Sequence, residues 1–159
     1  MNTVVKAGLV LGLLCEVWTY LMGFTGWYKD PALMNLFYVV IAIEVGVLIW
    51  ALRQTAAQGR KYGGQVAAGT SVSAVGAVVI FVGSVLFTAV VFPDYFQELA
   101  AIQEQMMADQ GLSEEQIRPV LDAQAAMSTP VINALIGSVM TVITGCLASL
   151  VIGAFVKAK

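Results

Sequence analysis

The sequence predicts an all-α integral membrane protein, a bundle of four transmembrane helices with an extracytoplasmic amphipathic helical hairpin between helices 3 and 4. The first observation is a set of four apolar blocks, at residues 5–27, 33–52, 66–92 and 131–156. Each block reaches the ~20 residues that a helix needs to cross a bilayer. The second is the composition, which is 59% hydrophobic and 11% charged, whereas soluble domains carry about 25% charged residues. We therefore expect one membrane domain over residues 1–159.

The third observation is that the charges between the blocks are sorted by sign. The basic residues on one side are Lys6, Arg53, Arg60, Lys61, Lys157 and Lys159. Lys29, Arg118 and an acidic segment fall on the other side. Because basic residues are retained in the cytoplasm, both termini are predicted to be cytoplasmic and the acidic insert to lie outside.

The first apolar block resembles a lipoprotein signal, because Lys6 precedes an apolar run that reaches Cys15. A signal peptide has small residues before its cleavage site. Here Leu13 and Leu14 occupy that place, and the apolar run continues to Trp27. We expect a retained first membrane helix.

Turn-forming residues mark the ends of the later blocks. The Lys-Asp-Pro stretch at 29–31 predicts a tight turn after helix 1. The glycine pair at 63–64 predicts the turn before helix 3, and Pro130 is expected to start the last helix.

The insert at residues 94–129 is predicted to be a pair of helices. It holds seven carboxylates and one arginine between Asp94 and Asp122. Gly111 suits the left-handed position that closes the first helix, and Ser113 with Gln116 forms a capping box for the second. Such amphipathic helices either fold on each other and on the membrane surface or serve as a docking platform for a partner.

Two carboxylates, Glu16 and Glu44, fall inside the apolar blocks. A charge at the bilayer centre costs about 3 kcal/mol on insertion scales, so such residues usually face the bundle interior. Counted from Lys6 and Arg53, both lie roughly 14 Å from the basic side, and we expect them to face each other at one level. They form either a proton relay or cation site, or neutral acids hydrogen-bonded across helices or to Thr19 and Tyr20.

A stripe of small residues runs along helix 4 at four-residue steps. Its members are Gly137, Thr141, Gly145, Ser149 and Gly153. Small residues allow close helix approach in lipid. The stripe therefore predicts either packing within the bundle or an interface with a second copy or a larger complex.

Several chemistries have no residues to support them. The chain has no histidine, which removes histidine-based metal, haem and nucleophile sites. Cys15 and Cys146 have no metal-binding spacing and are predicted to be apolar packing residues. We expect no catalytic residues, no metal, no cofactor and no nucleic-acid partner, since no basic cluster is present.

The chain resembles a bacterial four-helix membrane family known as domain of unknown function 4199. The matching stretches are GFTG at 23–26, RKYGG at 60–64, PDYF at 93–96 and GLSEE at 111–115, with Pro130 opening the last helix. The resemblance covers nearly the whole chain and implies four membrane helices with an outer helical insert. It implies no activity and no site residues.

Two functional hypotheses follow. The first is a non-enzymatic protein of the bacterial cytoplasmic membrane that acts by helix packing, with lipids and either itself or another membrane protein as partners. Leucines at Gly145 and Ser149 are then expected to disturb assembly. The alternative is a small proton- or cation-coupled transporter that uses Glu16 and Glu44.

Overall fold

The computed structural model describes residues 2–156, which form an all-α protein. The helices are α1 (Thr3–Thr25), α2 (Val39–Ala57), α3 (Tyr62–Leu86), α4 (Tyr95–Asp109), α5 (Glu114–Met127) and α6 (Pro130–Phe155). A 3-10 segment, Met34–Tyr38, leads into α2, and a π-helical turn, Phe87–Val91, extends α3. With these extensions, four helices are long and apolar enough to cross a membrane.

The turn between α2 and α3 differs from the sequence prediction. α2 continues past residue 52 to Ala57, and α3 begins at Tyr62, so the glycines at 63–64 belong to its first turn. Gly59, with a φ of 83°, makes the turn instead. The longer helices are held together because the buried Thr55 hydroxyl donates to Gln65 Oε1 at 2.7 Å.

The four long helices form a bundle in which α3 packs most extensively, against α6 and α1. α2 contacts all three of the others. α1 and α3 approach closely through glycines: a Cβ at Gly12 would stand 2.5 Å from Val79 Cβ and 2.9 Å from the Gly76 carbonyl oxygen. Small residues therefore let these two apolar helices meet with their backbones close together.

The helices alternate in direction, which gives the bundle two chemically different ends. At one end, Gln58 Nε2 donates to Thr3 Oγ1 at 3.2 Å, and the Tyr62 hydroxyl donates to the Leu150 carbonyl at 3.3 Å. We call this the basic end, because Lys6, Arg53, Arg60 and Lys61 lie on the segments that meet there. Lys157 and Lys159 lie outside the described residues.

The opposite end carries α4 and α5. Gly111, with a φ of 84°, stands between these helices as expected. The Ser113 backbone N–H donates to Gln116 Oε1 at 3.0 Å, as the capping box predicts. Two helices therefore occupy the insert, and they contact each other.

A polar cluster fixes α4 to the turn that follows α1. Lys29 Nζ lies 2.7 Å from Glu98 Oε1, and the Tyr28 hydroxyl donates to Glu98 Oε2. The hydrogen bonds from Lys29 and Tyr28, with the Lys29 charge, hold the pKa of Glu98 below its ordinary value. Burial, with the hydrogen bond to Glu98, raises the pKa of Tyr28 to about 12. The charged form of Glu98 is thus the form that the fold stabilises.

We expect Glu98→Gln to lower the melting temperature more near pH 7 than near pH 3. A lowered folded pKa contributes stability above the ordinary carboxylate value of 4.5, and this stability is lost as the pH falls through the folded value. The measurement is thermal unfolding in detergent at both pH values. Glu104→Gln, an exposed change on the same helix, is the matched control. The same loss at both pH values would contradict the assignment.

The packing differs between the two halves of the bundle. The main core cluster, which includes Leu11, Leu48, Leu52 and Val72, lies toward the basic end. α2 shows this directly, because its buried residues run from Glu44 to Ala56, while its first turns are half-buried or exposed. The half nearer α4 and α5 is less tightly filled, and a cavity lies there.

Candidate functional site

The cavity lies among the four long helices and has a volume of about 420 Å³. Each of these helices contributes polar groups to its wall. These are Cys15, Glu16 and Thr19 from α1, Glu44 from α2, Ser84 from α3, and Asn133, Thr141 and Thr144 from α6. Both carboxylates singled out in the sequence therefore face one space, and no basic residue among residues 2–156 lines it.

Glu44 is held by hydroxyl groups on two neighbouring helices. Its side chain is 4% exposed. Ser73 Oγ of α3 donates to Oε1 at 2.8 Å, and Thr144 Oγ1 of α6 donates to Oε2 at 2.6 Å. Each carboxylate oxygen has a donor, so Glu44 joins α2, α3 and α6 and is fully satisfied.

Glu16 is held far less completely. It is 8% exposed, and its best contact is a 3.4 Å hydrogen bond from Ser84 Oγ to Oε1. Within residues 2–156, Oε2 has no hydrogen-bond partner although it is buried. It lies against Gly83, where any Cβ would collide with the carboxylate. A buried acceptor without a donor is costly and calls for an explanation.

The two acids do not form the face-to-face pair that the sequence predicts. Their hydroxyl partners Ser73 and Ser84 are eleven residues apart on α3, about 16 Å of helix rise. α3 packs against both α1 and α2, so it offers each carboxylate a hydroxyl, whereas two carboxylates in contact would repel each other. The sequence-based estimate placed both acids by their distance along the helix from the flanking basic residues. It could not take into account that α3 packs against both helices.

The predicted partners of Glu16 are also different. Thr19 Oγ1 donates to the Cys15 carbonyl of its own helix at 3.0 Å. The Tyr20 hydroxyl donates to the Gly83 carbonyl at 3.2 Å and so supports the glycine against which Glu16 rests.

The structure divides the small-residue stripe of α6 in two. Toward the basic end, Gly145, Ser149 and Gly153 are buried against α3. Toward α4 and α5, Gly137 and Thr141 line the cavity, and a Cβ at Gly137 would meet nothing within 4 Å. One part of the stripe therefore packs, and the other part leaves space.

Aromatic residues form a part of the cavity wall that the sequence did not indicate. Phe37, Tyr38, Phe87 and Tyr95 line the cavity, and the rings of Phe87 and Tyr95 meet edge to face at 5.3 Å. Burial raises the pKa of Tyr95, which keeps its hydroxyl protonated. The π-helical turn begins at Phe87, and such turns are frequent at functional sites. In the sequence, only Pro93, which follows this turn, indicates that the geometry of the helix changes here.

The same wall separates the cavity from a second one of about 380 Å³. The second cavity is shared with the α4–α5 end, since Leu99 and Gln103 of α4 line it. Thr19, Phe37, Tyr38, Phe87 and Tyr95 line both cavities. The two cavities are therefore adjacent, and most of the residues that they share are aromatic.

The chemistry available in the cavity is that of carboxylates and hydroxyls. Within residues 2–156, no three histidine, cysteine or acidic residues are grouped closely enough to hold a metal ion. Cys15 and Cys146 are free thiols. Buried carboxylates in an apolar setting can hold a proton or a cationic group.

These features define the class of protein: an all-α, multi-pass membrane protein with a carboxylate-bearing cavity between its long apolar helices. The chain belongs to the family described as protein of unknown function DUF4199, whose model matches residues 6–158. The family resemblance seen in the sequence is thereby confirmed over nearly the whole chain. No curated protein and no solved structure matches it.

Proposed function

We propose that this protein is a non-enzymatic, proton- or cation-coupled carrier of the bacterial cytoplasmic membrane. The observation that carries the proposal is the pair of nearly fully buried carboxylates on the wall of one cavity. Intramembrane acids are expensive and typically mark ion or proton pathways. In the described part of the chain no lysine or arginine lines the cavity to neutralise them, so a proton or a bound cation is needed instead.

A purely structural role accounts for Glu44 better than for Glu16. Glu44 accepts a hydrogen bond at both oxygens and joins three helices. Glu16 adds little to cohesion, because one of its oxygens has no donor within the described residues. A residue that costs free energy and bonds so little favours a binding role.

We propose that the basic end faces the cytoplasm and that α4 and α5 lie outside. The four basic residues near one end support this orientation, against Lys29 and Arg118 toward the other. In intact cells that express Ser113→Cys, an impermeant maleimide added outside is expected to label the new cysteine. Labelling only after lysis would reverse the orientation.

Transport is tested in proteoliposomes that contain a pH-sensitive dye. Gradients of sodium, potassium, ammonium and phenethylammonium are imposed in turn, and luminal pH is compared with that of protein-free liposomes. At least one gradient is expected to move protons faster with the wild-type protein. The double variant Glu16→Gln with Glu44→Gln is expected to lose this flux, because neither amide can carry the proton or balance the cation.

The matched control is Glu115→Gln, the same change at an exposed position on α5. It is expected to leave the flux unchanged. Equal flux in the wild type and the double variant, or none above protein-free liposomes in either, would refute the carrier.

Association with a second copy or another membrane protein stays a prediction. The residues of the stripe that motivated it, Gly145, Ser149 and Gly153, pack against α3 of the same chain. Support for a partner therefore has to come from the outer faces of the helices, which expose apolar side chains as a lipid-facing surface also would.

A further inference from the structure

We infer that Glu16 is the ligand-binding carboxylate of this cavity, and that its ligand is a protonated organic amine with an apolar body that enters between α2 and α6. This inference rests on the proposed carrier function and names the substrate class for it. Glu44 is assigned a supporting role beside the site.

The argument begins with the unequal bonding of the two acids. Glu44 already has one hydroxyl donor for each oxygen, at 2.8 and 2.6 Å. Glu16 has a single long contact from Ser84, and its Oε2 lacks any donor within residues 2–156. Glu16 lines the cavity, and its one protein hydrogen bond is long, so its carboxylate can still accept from a ligand there. The donor that it lacks is one that a ligand N–H group would supply.

The described part of the wall does not favour a calcium or magnesium ion. Calcium and magnesium require six or more oxygen ligands, including protein carboxylates or ordered waters. The described residues offer no group of three acidic, cysteine or histidine ligands. Four aromatic residues also line the cavity with Glu16: Phe37, Tyr38, Phe87 and Tyr95. Aromatic faces attract organic cations and cover apolar groups.

The size of the cavity agrees with a small organic molecule. At about 420 Å³ it falls within the range of ordinary ligand pockets. A carboxylate beside an aromatic wall would hold the ammonium group by a charge-assisted hydrogen bond and the apolar body by contact. The site is therefore complementary to an amine with a ring or a short alkyl chain.

The entrance is indicated by residues that line the cavity and are also exposed on the outside of the bundle. Ile41 of α2 is 44% exposed, and Met140 of α6 is 50% exposed. Gly137, beside Met140, leaves open space where a side chain would stand. These positions lie within the long apolar helices. The cavity thus opens sideways, and an amine with an apolar body would reach it from the lipid phase.

The test is direct binding of tritiated phenethylamine to the full chain in nanodiscs of phosphatidylcholine and phosphatidylglycerol. Saturable binding is expected for the wild type. Glu16→Gln is expected to weaken it by at least about tenfold, and Glu44→Gln by less than about threefold. Glu16→Asp, which keeps the charge, is expected to retain more binding than Glu16→Gln. Elution profile and melting temperature show whether each variant is folded.

A second probe tests the N–H donor itself. Phenethyltrimethylammonium has the charge and the ring but no N–H, and it is expected to compete at least about tenfold less well than phenethylamine. Nanodiscs that contain phosphatidylethanolamine then separate two sources of the same chemistry. Reduced phenethylamine binding in these nanodiscs would show that an aminolipid headgroup competes for the site. Unchanged binding would show that the ligand is a free amine, and both results support the site.

Three results would overturn the inference: no saturable binding to the wild type, equal binding to a folded Glu16→Gln variant, or equal competition by the trimethylated compound. Failure of the carrier function is distinguishable from these. If sodium or potassium gradients drive flux that depends on the carboxylates while phenethylamine does not bind, the carrier stands and the amine assignment falls.

Discussion

Gly145→Leu is expected to destabilise the bundle strongly, with a loss of about 3 kcal/mol or more in the free energy of unfolding, the upper end of typical overpacking costs. A Cβ at this position would fall within 2.5 Å of Ser73 Cβ and 2.7 Å of Glu44 Oε1. Leucine would push α6 from α3 and break the Ser73–Glu44 hydrogen bond. Loss of that donor leaves a carboxylate oxygen buried and unpaired, which adds to the penalty. Unfolding by heat and by denaturant in detergent measures the loss.

The matched control is the same substitution about two turns earlier on the same stripe. Gly137→Leu is expected to keep the free energy of unfolding within about 0.5 kcal/mol of the wild type or to raise it slightly, because leucine favours a helix over glycine and its Cβ would meet no atom within 4 Å. Equal losses in both variants would show that the stripe faces one common surface. The sequence alone predicts that leucines at Gly145 and Ser149 disturb assembly. In the structure both residues pack against α3 of the same chain, so we expect leucines there to disturb the fold of a single chain as well.

Gly137→Leu is expected to abolish both cation-driven flux and phenethylamine binding while the protein stays folded. Gly137 lines the cavity beside Met140 and Thr141, and the empty space at its Cβ position is part of the opening between α2 and α6. A leucine side chain would fill that opening. The measurements are the proteoliposome and nanodisc assays, with the melting temperature recorded for the same preparation.

Val151→Leu is the control for this second prediction. It adds apolar volume to an exposed position of α6, 61% accessible and absent from the cavity wall. Flux and binding are expected to match the wild type. Normal flux in a folded Gly137→Leu variant would mean that solute does not pass through this cavity.

Much of the architecture follows from patterns in the chain. The apolar blocks correspond to the four long helices, Pro130 begins α6 after a Thr129 N-cap, and Gly111 closes α4. These features are local, because hydropathy, capping and positive φ depend on a few neighbouring residues. The turn at Gly59 was missed because the glycines at 63–64 give a stronger local signal, and the Thr55–Gln65 contact that extends both helices is a tertiary one.

The site was predictable only in part, and the reason is physical. Composition and spacing alone determine that Glu16 and Glu44 lie within apolar segments, where they have to face the protein interior. Which hydroxyls they bond, Ser73 and Thr144 for Glu44 and Ser84 for Glu16, depends on how α3 and α6 rotate about their axes. The same rotation decides that Gly145 packs tightly while Gly137 opens a cavity. The sequence determines four apolar helices and two buried acids. Helix packing, set by contacts between distant residues, decides that, within residues 2–156, Glu44 has a donor at both oxygens and Glu16 at only one.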